Sequence, residues 1–175
     1  MKAMQMKKLF LFAVCLAFIW QSCNKNTAPV VAASSAISAT IDGTNESFNT
    51  IDSSGYRNTA TYYSAFISAK TATSATADKM ELDIYSPNPI AVGTYSLTKN
   101  YNPPFGILII YKINGSSNFA NDYVIDYTGN HPASITVSSI SSTNIQGAFN
   151  GTLIAANNSG ATKTITNGKF NVDVK

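Results

Sequence analysis

The chain is poor in the side chains that carry most covalent and metal chemistry. Its 175 residues include two cysteines, one histidine and one tryptophan, and only 12% of them are charged. No cysteine stands beyond Cys23, which removes disulfides, thiolate metal sites and a cysteine nucleophile from everything downstream. A lone histidine, His131, cannot supply a histidine-rich metal centre. No Gly-x-Ser-x-Gly elbow is present, so the commonest serine-hydrolase signature is missing. Past Trp20 there is no indole ring, which weakens a carbohydrate-binding reading. No segment repeats its apolar residues with a helical period, so a helical fold is excluded as well.

The N-terminus holds the most specific signal. Lys2, Lys7 and Lys8 precede an unbroken apolar run from Leu9 to Trp20, followed by Gln21, Ser22 and Cys23. A helix of that run would span ~18 Å, well short of the ~30 Å hydrocarbon core, so it reads as an export signal and not a membrane span. A cysteine directly after a small residue at the end of such a run resembles a bacterial lipoprotein signal. The resemblance implies cleavage that leaves Cys23 as an acylated N-terminus. The expected organisation is a signal peptide over 1–22, a lipid-anchored tether over 23–35 and one β-domain over 36–175. Residues 24–35, NKNTAPVVAASS, are small, polar or proline-containing and aperiodic. As a flexible coil they reach roughly 20 Å.

Three of the twelve basic residues leave with the signal while all nine acidic ones stay. The pI of 8.8 therefore belongs to the precursor. With the remaining cations scattered, no nucleic-acid surface is expected. The membrane is the expected partner, reached through the N-terminal lipid.

From Ala36 onward the pattern is strands and turns. Ile37, Ala39 and Ile41 alternate with Ser38 and Thr40, and Asp42-Gly43 turns the chain into Glu46–Ile51. Ala60–Ala69 follows, then Lys79–Tyr85, where Met80, Leu82 and Ile84 oppose Lys79, Glu81, Asp83 and Tyr85. Thr94–Thr98, Phe105–Ile113, Phe119–Thr128, Ser134–Ile140, Asn144–Ala155, Lys163–Thr166 and Lys169–Val174 complete the set. Asn167-Gly168 reads as a type I′ turn between the last two, or as a bulge within one longer strand. Thr71–Ala77 reads as a loop. About ten short strands predict an all-β antiparallel sandwich or lipocalin-like barrel, held by its core alone. A domain of roughly 140–150 residues is large enough for that.

GTYSL at Gly93–Leu97, GAFNGTL at Gly147–Leu153 and ITNGKFNV at Ile165–Val172 resemble the closing strands of small all-β Bacteroidota lipoproteins with no assigned activity. The A-x-I-D-G hairpin typical of that group is matched by Ala39–Gly43. The resemblance implies an outer-membrane lipoprotein. The absence of acidic residues at Asn24–Thr27 implies that it faces the periplasm. It brings no catalytic residue with it.

Several constellations are candidates for chemistry. Glu81 and Asp83 project from one strand face roughly 7 Å apart, within the range that glycoside hydrolysis uses. The plainer reading is a solvated strand face that also carries Lys79. His131 precedes Pro132 between two strands, where a turn histidine is the plain alternative to a triad member. Asp122 and Asp126 share a strand parity but lie roughly 13 Å apart, too far for one calcium ion. Asn100–Asn102 and Asn157–Asn158 could contribute oxygens to such a site, but no D-x-D-x-D spacing is present. Phe105–Ile113 is apolar on both parities, with Ile107, Ile109 and Tyr111 on one and Leu108 and Ile110 on the other. That pattern fits a covered central strand, an exposed patch or a cavity wall. Phe119, Tyr123, Ile125 and Tyr127 share a face that suits either a core edge or a small-molecule site. Leu108, Ile110, Tyr123 and Tyr127 are the candidate ligand or partner patch, Cys23 the lipidation site. No catalytic residue, metal or cofactor is expected. The expected function is a non-enzymatic binding or structural module that engages an envelope protein or small ligand. Its rivals are a carrier enclosing an apolar ligand and, third, a hydrolase. A filled interior separates the first from the second.

Overall fold

Alternating apolar and polar residues, punctuated by turn residues, give eleven strands in the computed structural model, which describes residues 35–97 and 106–174. Cys23, the tether up to Ser34, the Asn100–Pro104 loop and Phe105 lie outside the described residues. The strands are β1 (Ala36–Ile41), β2 (Thr44–Phe48), β3 (Thr50–Asn58), β4 (Tyr63–Lys70), β5 (Lys79–Ser86), β6 (Gly93–Ser96), β7 (Gly106–Lys112), β8 (Asp122–Ile125), β9 (Ala133–Ile140), β10 (Asn144–Ala155) and β11 (Thr162–Asp173). Two single 3-10 turns, Ile113–Gly115 and Phe119–Asn121, separate β7 from β8.

All pairings are antiparallel, in the order β2-β1-β11-β10-β8-β7-β5-β4-β3. The two ends of that path, β2 and β3, are consecutive in the chain with only Asn49 between them. The sheet therefore curls until it nearly closes into a barrel. One bent strand, β2–β3, faces β1 along its first half and β4 along its second. The twelve-residue β10 pairs with β9 along its first half and with β8 along its second, so β8 and β9 lie end to end. β6 pairs with β9 and continues the line of β7.

The inward parity of each strand makes the core. Ile37, Phe48, Met80, Ile109, Ile125, Phe149, Leu153 and Ile165 belong to one contiguous cluster and are almost completely buried. Side chains with essentially no exposed surface leave no water-sized space beside them, so this interior is filled. Each such residue contributes roughly 1.5–3 kcal/mol through burial.

Two phenylalanines and two glycines set the packing of β10 on β11. Phe149 lies cross-strand from Gly168 and Phe170 from Gly147. A Cβ at Gly168 would collide with the Phe149 ring and carbonyl, and one at Gly147 with the Phe170 ring and the Thr136 carbonyl. Both glycines give a ring room to lie over backbone.

The Asp42-Gly43 hairpin forms as expected, with φ of 48° and 84° at the two turn residues. Asn167-Gly168 does not turn the chain. Asn167 takes a left-handed φ of 53° within the continuous β11, and the register shifts there against both β1 and β10. A bulge is the result, and it lets one strand bend around the barrel. Ser53–Asn58 pairs with β4, though its sequence, SSGYRN, carries no apolar alternation to announce a strand. Phe119 lies in a 3-10 turn and not in the strand, which spans Asp122–Ile125 alone.

In β7 the inward Ile107, Ile109 and Tyr111 are buried, while on the outer face Ile110 is only 8% exposed and Leu108 is half-buried. Truncating Ile109 to Ala should cost roughly 2–5 kcal/mol, because the filled interior cannot collapse around the deletion. Leu108→Ser should cost about 1 kcal/mol. Thermal and urea unfolding of the two variants measures the contrast.

Candidate functional site

The outer face of β3–β4–β5–β7–β8 carries a chain of alternating charges. Lys70 and Lys79 hold Asp52 at 3.1 and 3.0 Å, and Lys79 reaches Glu81 at 2.8 Å. Lys112 then links Glu81 at 3.6 Å to Asp122 at 3.8 Å. Strand register builds this row, since Lys70, Lys79, Lys112 and Asp122 lie side by side across four strands. The two lysines hold the Asp52 carboxyl below its ordinary pKa. Burial opposes the charge of Lys79, yet the hydrogen bonds it donates to Glu81 and Asp52 outweigh that and raise its pKa. Burial raises the pKa of Asp122, whose Oδ1 has no hydrogen-bond partner.

Glu81 and Asp83 are therefore not the solvated pair that their alternation suggests. Glu81 sits between two lysines with its side chain 23% exposed. Asp83 accepts a hydrogen bond from the Tyr85 hydroxyl at 3.1 Å, and burial raises its pKa. Long side chains from neighbouring strands cover this face, which is why charge alone misjudged its exposure.

Residues 126–132, between β8 and β9, are organised by Asp126, which is 3% exposed. Its Oδ1 accepts from the Thr128 backbone N–H at 2.9 Å and from the Thr128 hydroxyl at 2.6 Å. Its Oδ2 lies 2.7 Å from Nδ1 of His131. The Thr128 hydroxyl, ahead of burial working the other way and then of His131, draws the Asp126 pKa down to about 2. An ionised Asp126 makes Nδ1 the donor, and Nε2 bonds no described residue. The arrangement is half of a triad with no hydroxyl at its far nitrogen, and its work is to fix the loop.

The four residues of the candidate patch do not come together. Leu108 and Ile110 lie on the outer face, whereas Tyr123 pairs with Tyr111 on the inward parity near one barrel end. Tyr127 lies past the strand end and is 52% exposed. Tyr123 instead joins Asn114, Asn121, Asn157, Ser116 and Ser159 around a polar hollow. Among the described residues no group of histidine, cysteine and carboxylate side chains could hold a metal ion.

Sequence reasoning missed a groove at the other barrel end, where β3 runs into β4. Tyr56, Arg57, Asn58, Tyr63 and Ser64 form one wall, with Pro89, Ile90 and Ile140–Ser142 opposite, around a space of about 330 Å³. The seam beside it is held by side chains on backbone carbonyls. Ser54 Oγ donates to Asp173 at 2.7 Å, and the Tyr56 hydroxyl donates to Ser141 at 3.0 Å. Only the pairing of distant strands brings these segments together, so no local pattern announces them.

No family model matches the chain, no curated protein matches its sequence and no solved structure matches its fold.

The depressed pKa of Asp126 has a defined consequence for stability. Its contribution is complete above the unfolded value near 3.8 and is lost as pH falls through about 2. Asp126→Asn should lose about 1–3 kcal/mol at pH 7 and flatten the acid dependence between pH 4 and 2. Urea unfolding across that range for both proteins measures it.

Proposed function

We propose that this chain is a lipid-anchored cell-envelope protein whose β-barrel acts as a non-enzymatic binding or structural module. The filled interior is the observation that carries the reading. With Ile109, Ile125, Phe149 and Leu153 buried and no water-sized space beside them, recognition falls to the outer surface and the barrel mouth. That weighs against a carrier that encloses its ligand. A hydrolase draws little support from the described residues. Glu81 is committed to two lysines, Asp83 to a tyrosine, and His131 to a buried carboxylate.

The N-terminal sequence supports the anchor, with the short apolar run leading through Gln21 to Ser22-Cys23. Among the described residues no helix is long and apolar enough to cross a membrane. Similarity to small Bacteroidota lipoproteins supports an outer-membrane location, and the non-acidic stretch after Cys23 supports the periplasmic face. Cys23→Ala tests the reading directly. Acyl chains contribute ~0.8 kcal/mol per buried CH₂, and two or more give stable anchoring. The variant should move from the membrane pellet to the soluble fraction on cell fractionation. Retention in the pellet would contradict the proposal.

A further inference from the structure

We propose that the groove at the barrel mouth binds a single-chain amphiphile with a carboxylate head, the head held by Arg57 and Ser64. The inference rests on the reading of the barrel as a binding module and names the class of ligand it takes.

Arg57 and Ser64 are direct cross-strand neighbours on one face of β3–β4, and both line the groove. The Arg57 guanidinium lies 4.1 Å above the Phe66 ring, which fixes its plane. Lys70, Lys79, Lys112 and Lys163 all form ion pairs, whereas Arg57 has none among the described residues. Asp83 shares this face and feels the Arg57 charge, but the two form no ion pair and Asp83 Oδ2 accepts from Tyr85. Beside the guanidinium, Ser64 is only 2% exposed and its hydroxyl has no hydrogen-bond partner. A buried, unsatisfied hydroxyl next to an unpaired, permanently charged fork of N–H donors asks for one acceptor-only group. A carboxylate fits, because its two oxygens can take the guanidinium and the hydroxyl together.

The rest of the groove asks for a hydrocarbon. Tyr63, Pro89, Ile90 and Ile140 supply its apolar walls, and no acidic side chain lines it. Its volume of about 330 Å³ lies at the lower end of the range for small-molecule sites. An alkyl chain can lie along these walls with its head at the β3–β4 side.

Calorimetric titration of the full chain carrying Cys23→Ala, purified after export, tests this with decanoate as the probe. Decyltrimethylammonium, with the same chain length and opposite charge, is the control. One decanoate per protein should bind, at least about tenfold more tightly than the cationic analogue. Arg57→Gln should weaken decanoate by about tenfold, and Arg57→Lys by less, since the fork geometry is lost but the charge is kept. Ser64→Ala should weaken it severalfold while leaving the melting temperature unchanged or raised, because it removes an unsatisfied buried hydroxyl. The absence of decanoate binding, equal binding of the two amphiphiles, or binding indifferent to both Arg57→Gln and Ser64→Ala would overturn the assignment. If anchoring through Cys23 still holds in that case, the ligand class fails alone and the anchored module stands.

Discussion

Burial of one apolar face against itself is the constraint on which the rest of this fold depends. A sheet buries a single face, and with no disulfide and no α-helix among the described residues to cover that face, curling onto itself is the remaining solution. Closure needs a strand that can belong to both ends of the pairing path. The bent β2–β3 strand does this at Asn49, and the bulge at Asn167 bends β11 along the same curve. The small residues follow from the same demand. Gly147 and Gly168 remove the Cβ atoms that would hold Phe170 and Phe149 away from the backbone, so the two rings occupy the interior.

Much of this architecture was legible in the residues. The class, the inward parities of β1 and β5, and the Asp42-Gly43 hairpin all follow from period-two alternation and turn chemistry, which are local, whereas β7, apolar on both parities, did not announce its inward face. The second half of β3 was not legible. Ser54, Gly55 and Arg57 have little strand propensity, and they are extended because β4 lies beside them. Asn167-Gly168 carried two readings, and tertiary pairing on both sides of β11 selected the bulge over the turn. Phe119 shared a parity with Tyr123 on paper, yet the 3-10 turn at Phe119–Asn121 breaks that parity before the strand begins.

The functional surface was less legible than the fold, for a physical reason. Alternation separates inward from outward residues but does not say how much neighbouring side chains cover the outer ones. Glu81, Asp83 and Ile110 all lie outward, and all are partly or largely covered by the side chains on adjacent strands. The mouth groove is assembled from β3, β4, the segment after β5 and the turn between β9 and β10, segments far apart in sequence. Arg57 and Ser64 are unremarkable alone and become a pair only through cross-strand register.

A solid interior is the central claim, because it moves recognition from the inside of the barrel to its mouth and surface. Xenon-pressure NMR on methyl-labelled protein tests it most directly, since xenon enters apolar voids that water leaves empty. The account predicts no saturable shifts at the methyls of Ile109, Ile125 and Leu153. Saturable shifts converging on those three residues would reveal a hollow barrel and contradict it.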